Sequence, residues 1–307
     1  MGPGQPGGAG AQRALPPGCP PAGAAGGQDG QRRHRRDREP APSPGFTFYV
    51  HQLDPAKPAS RFFGSRDVRR ALLMALDRQG IVDAILFKQG AVADSTVPRV
   101  SWGYSKNVRP KYAFDRAGAE RMLDGAGWTK GADGVRQKNG DQFRFEILYP
   151  AGVKFLEDMA ASLQDQWKRI GVQATPKPGD LATVIVPAFY NTRNFDLLLT
   201  SIGLGDEPDS QSLLFSSASA APGGANAAPF KDSRVDDLLA QGVATFDRTK
   251  RAQIYAQVQD IIMEELPAAP LVFQNVVLGV SKRVRGVRFS SVGGSSYYQG
   301  VWVTDGK

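Results

Sequence analysis

Histidine, cysteine and paired carboxylates carry much of protein chemistry, and in this sequence they are sparse where a fold could use them. The 307 residues hold one cysteine, Cys19, and two histidines, His34 and His51. Beyond residue 45 only His51 remains. That excludes a disulfide framework, a cysteine-rich zinc site, a Cys/His nucleophile pair and a Ser-His-Asp triad deep in the fold. A metal role for His51 would be isolated, so no metal and no cofactor is expected. Asp206 and Asp209 are spaced to act as a carboxylate pair, but they lie in a Gly-bearing stretch with no histidine to serve as a hydrolase base. No catalytic residue is assigned, and the chain is not expected to be an enzyme. What precedes the carboxylates matters more. Phe195–Ile202 is largely apolar without alternation, as in a strand buried on both faces. Open α/β sheets bind ligands beyond the carboxyl ends of such strands, which makes the segment after residue 202 the place to look for a ligand.

The elements that must position this segment are legible from periodicity. Val68, Ala71, Leu72, Ala75 and Leu76 recur at helical spacing after Ser65 and Asp67, and the spacing predicts a helix interrupted by Gly80, then a second over 81–87. A Pro-bearing loop with Trp102 and Tyr104 follows. Asp115 caps a third helix that stops at Gly127. Phe143, Phe145, Ile147 and Tyr149 alternate with polar residues, predicting a strand over 142–149. Phe155, Met159, Leu163, Trp167 and Ile170 mark an amphipathic helix, and a strand near 172–177 completes a β-α-β unit. Ser233 and Asp247 are predicted to cap two further helices, which Pro267 and Pro270 terminate. Strands are expected over 272–280 and 284–289. This order implies an α/β fold around a mixed sheet.

Composition divides the chain near Gly45. Residues 1–45 hold 11 of the 35 Gly and 9 of the 22 Pro, leaving 24 and 13 for the other 262 positions. The first stretch cannot bury a core, whereas the rest is near the globular average of about 12 per cent for these two residues. The formal net charge is +8, mild and dispersed. Its densest cluster, Arg32 to Arg36, lies in the first stretch, where it reads as a solvated tail and no nucleic-acid partner is expected. No apolar run approaches the roughly 18 residues of a membrane span. The twin arginines at 32–33 and 35–36 are followed by charged and Pro-rich residues, so no export signal is read in this chain.

Five segments in order resemble the extracytoplasmic solute-binding proteins of ABC importers, family 5, which carry oligopeptides, dipeptides and nickel. They are the helix RDVRRALLMALDRQGIV over residues 66–82, the Tyr112–Trp128 segment with its AGW ending, and Ala161–Gln164 followed by Ile170–Val172. Asn226, Phe230 and Val235–Asp236 form the fourth, and Arg251, Tyr255, Gln259, Glu264, Glu265 and Pro267 the fifth. The resemblance implies a type II periplasmic-binding-protein fold, two α/β lobes that close on a ligand about crossover strands. Residues 46–60 would be a crossover segment, 61–269 the second, C-terminal lobe, and 270–307 a β-rich segment returning to the first lobe. Residues 1–45 resemble nothing in the family. Their composition is that of a GC-rich gene read out of frame, so they are expected to be a misassigned start, the alternative being a genuine disordered tail. Family members are roughly twice as long, which implies an N-terminal truncation.

The resemblance also implies a function and a site. The chain would be the substrate-binding component of an ABC-type importer, a monomer outside the cytoplasm that presents a peptide-like or other small solute to an inner-membrane permease. The alternative is a truncated fragment that cannot form the two-lobed cleft and binds nothing. Peptide-binding members carry a Trp and, three residues on, an Asp that pairs with the peptide α-amine. Anchored on Glu207-Pro208 those positions are Ser201 and Leu204; anchored on Phe195-Asp196 they are Ile202 and Gly205. Both residues are absent in either register, which removes the usual anion for an ammonium. Asp206 could compensate, or serve only to cap the helix near Pro208. The expected ligand-lining residues are therefore Ser201, Ile202, Gly203, Leu204, Gly205 and Asp206, with Trp102 and Tyr104 as flat apolar contacts or packing residues. Arg193 reads as a solvated loop cation, the alternative being a pairing with an anionic ligand group, and Asn226 as a turn cap before Pro229 rather than a ligand contact.

Overall fold

A computed structural model describes residues 41–277, 279, 281, 283–289, 296–297 and 300–304. Residues 1–40, including the Arg32 to Arg36 cluster and most of the Gly/Pro-rich stretch, lie outside the described residues. In chain order the strands are β1 (Ala41–Pro42), β2 (Gly45–His51), β3 (Gly90–Val92), β4 (Thr129–Lys130), β5 (Arg136–Lys138), β6 (Asp141–Gln142), β7 (Arg144–Pro150), β8 (Gln173–Gly179), β9 (Leu197–Gly203) and β10 (Ala268–Val276). The short strands β11 (Val284–Arg285), β12 (Arg288–Phe289), β13 (Ser296–Tyr297) and β14 (Trp302–Val303) follow. The helices are α1 (Ser60–Phe63), α2 (Arg66–Met74), α3 (Arg78–Ala84), α4 (Arg116–Gly125), α5 (Lys154–Lys168), α6 (Gln211–Phe215), α7 (Ser233–Ala244) and α8 (Arg248–Glu265).

The main sheet runs β1-β10-β2-β9-β7-β8, with β3 also on β10. β7 and β8 are parallel and joined by α5, the β-α-β unit expected from the sequence. β9 is parallel to β7 and antiparallel to β2, so the carboxyl ends of β7, β8 and β9 and the amino end of β2 share one edge of the sheet. All seven residues of β2 are buried. Strand alternation sends Tyr49, Leu197 and Leu199 to one face and Phe46, Phe48, Val50 and Leu198 to the other. The first face packs on α1, α2, α4 and α5, with an aromatic cluster of Phe62 and Phe63 from α1, Trp128, Phe143, Phe145 and Trp167 at its centre. The second packs on α7 and α8 through Val235, Tyr255, Val258 and Ile262.

Local chemistry explains the helix ends. Asp115 Oδ1 accepts the Gly118 amide at 2.8 Å, as predicted, and Asp247 Oδ1 accepts those of Thr249 and Lys250, both at 2.9 Å. Three expectations are corrected. Gly80 does not break a helix: it lies inside α3, its amide taken by the N-cap Asp77 at 2.9 Å. α7 is capped by Asp232, whose carboxylate accepts the Arg234 amide, and Ser233 is its first residue. The predicted 272–280 strand is β10, which starts at Ala268 and contains Pro270, and the 284–289 strand is two short ones. The divisions drawn at residues 45 and 269 both fall inside strands of the sheet. Ala41–Pro42 already pairs with Asn275 and Val276, an edge position that tolerates a missing amide donor.

Candidate functional site

The shared edge of the sheet is built from small residues. Gly45 opposes Gly203, and a Cβ on Gly45 would collide with the Ile202 carbonyl, so glycine is required for the close approach of β2 and β9. One step in, Thr47 Oγ1 and Ser201 Oγ are hydrogen-bonded at 2.8 Å on the α5 side of the sheet. Ile202 and Leu204 pack against the core of the opposite side. Beyond the strand, Leu204 N donates to Pro44 O at 3.0 Å, and Gly205 turns the chain with φ +76.

The loop after β3 is docked on this segment. Ser101 Oγ donates to Asp206 O at 2.7 Å, Trp102 Nε1 donates to Glu207 Oε1 at 2.9 Å, and Gly103 lies so close to Pro208 that an added Cβ would come within 2.6 Å of its ring. The Arg248 and Arg251 guanidinium groups lie 4.9 Å and 5.0 Å from the Trp102 ring centre. Arg251 also reaches Asp209 at 2.6 Å and Glu207 at 3.3 Å. Tyr104 OH donates to Asp94 Oδ1 at 2.9 Å; burial, and then that carboxylate, raise its pKa.

The structure therefore brings Trp102 and residues 206–208 together, leaves Tyr104 on Asp94 and Phe273, and turns Ser201 to the other face. Trp102 and Tyr104 are half-buried packing residues; Trp102 fastens its loop to Glu207, whereas Tyr104 braces its own loop through Asp94. Asp206 does not cap the short helix at Pro208: only its carbonyl is used, and its carboxylate makes no hydrogen bond or ion pair with the described residues. Glu207, Asp209 and Asp94 are each tied to a donor. Asn226 is the turn residue expected: its Nδ2 donates to Phe230 O at 2.7 Å and its Oδ1 accepts the Phe230 amide. Arg193 is not a solvated cation but is buried, with its pKa lowered by that burial. Sequence reasoning missed Thr47, Asp94 and the Arg248/Arg251 pair. The arginines carry a signal in hindsight, since they sit one turn apart on a helix face that meets a tryptophan; Asp94 carries none. Among the described residues no cluster of His, Cys, Asp and Glu could hold a metal ion.

The family model described as bacterial extracellular solute-binding proteins, family 5 Middle, matches residues 20–224. The chain belongs to this family. The match begins well before residue 46, so part of the Gly/Pro-rich stretch resembles the family after all. The chain is 29% identical over 233 residues to the oligopeptide-binding protein AppA of Bacillus subtilis, which is 75% of this chain and 42% of that one. It is 27% identical over 245 residues to heme-binding protein A of Haemophilus influenzae, 80% of this chain and 43% of that protein. The chain thus spans under half the length of these curated relatives. Among solved structures, that of Bacillus subtilis AppA in complex with a nonapeptide superposes with TM-score 0.77 at 25% identity, over 87% of this chain and 52% of that one. That of NikZ from Campylobacter jejuni with Ni(L-His) superposes with TM-score 0.71 at 26% identity, over 81% and 48%. The fold is the α/β fold of these family 5 binding proteins.

Proposed function

We propose that this chain belongs to the substrate-binding component of an ABC-type importer, and that it contributes one wall of a cleft for a peptide-like or other small polar solute. It does no chemistry on that solute; it works outside the cytoplasm and hands the solute to a membrane permease. The observation that carries this reading is the sheet edge itself. Paired glycines bring the ends of β2 and β9 into close approach, and beside them the Asp206 carboxylate is not tied to a described donor, while Asp94, Glu207 and Asp209 are fastened. A carboxylate without a described donor at the carboxyl end of a sheet strand suits a cationic or hydrogen-bonding solute.

Thermal unfolding in the presence of a panel of di- to nonapeptides, amino acids and sugars tests this. A solute at about a hundred times its Kd stabilises by about 2.7 kcal/mol, a rise in melting temperature of roughly 5–10 °C for a domain of this size. A cooperative transition that no solute moves favours the second reading, a chain that folds but lacks the opposing wall.

A further inference from the structure

A second cleft lies at the opposite end of β9. It has a volume of about 700 Å³ and is lined by residues 53–55, 191–193, 220 and 222, and 229–231. It flanks the carboxyl end of β2 and the amino end of β9, whereas the solute edge lies at Gly45 and Gly203. The seven residues of β9 separate the two by about 20 Å or more.

Arg193 in this cleft is only 5% exposed. It closes the helical stretch that precedes β9 in a left-handed conformation, φ 52 and ψ 28, where glycine or asparagine is usual. Its backbone is clamped there, because its carbonyl accepts the Gln52 side chain at 2.7 Å. Its Nη2 donates to Gly224 O at 2.8 Å, but Nε and Nη1 have no hydrogen-bond partner and no described carboxylate pairs with it. Buried guanidinium groups ordinarily have their donors satisfied and their charge paired, so this one lacks a partner among the described residues. Lys231 is a second, exposed cation on the same cleft and has no described ion pair, while Asp54, the acid of the cleft, accepts the Ala56 amide at 3.0 Å. The remaining wall is mixed: Leu53, Pro222 and Phe230 give it an apolar side, and Asn191 and Thr192 a polar one.

We infer that this cleft binds a small organic carboxylate, its anionic end completing Arg193 with help from Lys231 and its apolar body lying against Leu53, Pro222 and Phe230. The site is separate from the solute edge and does not depend on the transport reading. Isothermal titration of the full chain with benzoate, against chloride at matched ionic strength, is the test. Charge-assisted hydrogen bonds set the expected loss: roughly tenfold weaker binding for Arg193→Gln, and a several-fold loss for Lys231→Gln. The Arg193 Nε–H proton resonance shifts as benzoate binds to the unaltered chain, a readout that survives even if Arg193→Gln does not fold. Absence of benzoate binding, binding unchanged in Lys231→Gln with an unmoved Arg193 resonance, or equal affinity for inorganic phosphate would each overturn the assignment.

Discussion

At the residue scale the account turns on what burial does to single polar groups. His51 sits in β2 between the Tyr49 and Phe63 rings, its Nδ1 donating to Leu266 O at 3.0 Å. Burial first, and then the nearby Arg69 charge, push its pKa down to about 3 from an ordinary 6.5. The unfolded chain therefore takes up a proton as pH falls through 6.5 while the folded chain does not. Stability contributed by the neutral ring is present above pH 6.5 and is lost progressively down to about 3. Between pH 6.5 and 5, before carboxylates titrate, the loss is about 2 kcal/mol, and urea midpoints over that range should show it. His51→Gln should remove this slope; a slope that persists would assign it elsewhere. Gly103 belongs to the same scale. Gly103→Ala drives a methyl group into Pro208 and should displace the 204–208 loop, weakening solute binding at least several-fold with little change in the far-ultraviolet circular dichroism.

At the element scale, helix packing supplies a sharp case. Gly242 lies inside α7, where alanine would ordinarily be favoured by about 1 kcal/mol. A Cβ there would lie 2.6 Å from Cζ and OH of Tyr255 on α8, so overpacking should outweigh propensity. Gly242→Ala is expected to destabilise by about 1–2 kcal/mol in chemical denaturation; a gain in stability would show that α7 and α8 separate freely. The same scale shows why the sequence was readable where it was. α5 and β7 carry clean periods of 3.6 and 2 because each buries one face, and the Asp caps are short-range chemistry. The failures had long-range causes. Pro270 looked like a stop signal, but β10 accommodates it at a register irregularity opposite β2. Asp77 reaches three residues ahead to satisfy the Gly80 amide, which periodicity does not reveal. For the candidate site the sequence offered a segment, residues 201–206, without its contacts and without showing that Ser201 faces the other side of the sheet. Trp102 meets Glu207, Arg248 and Arg251 only through tertiary packing, and the burial of Arg193 depends on the carbonyls of residues 221 and 224.

At the scale of the whole molecule, the described sheet has both faces covered by cores and its central strands flanked on both sides by partners. Such a body should unfold as one unit, with fluorescence and circular dichroism transitions that coincide; separate midpoints would mean that the two faces fold independently. The central proposal is that a solute is held at the carboxyl end of β9, beside the paired glycines at 45 and 203 and the untied Asp206. The most direct measurement is calorimetric titration of the purified chain and of Asp206→Asn with the solute that most stabilises it against heat. The account predicts saturable binding that weakens roughly tenfold or more in Asp206→Asn, since a charge-assisted contact is lost while the fold is untouched. Equal affinity in the two proteins would contradict it.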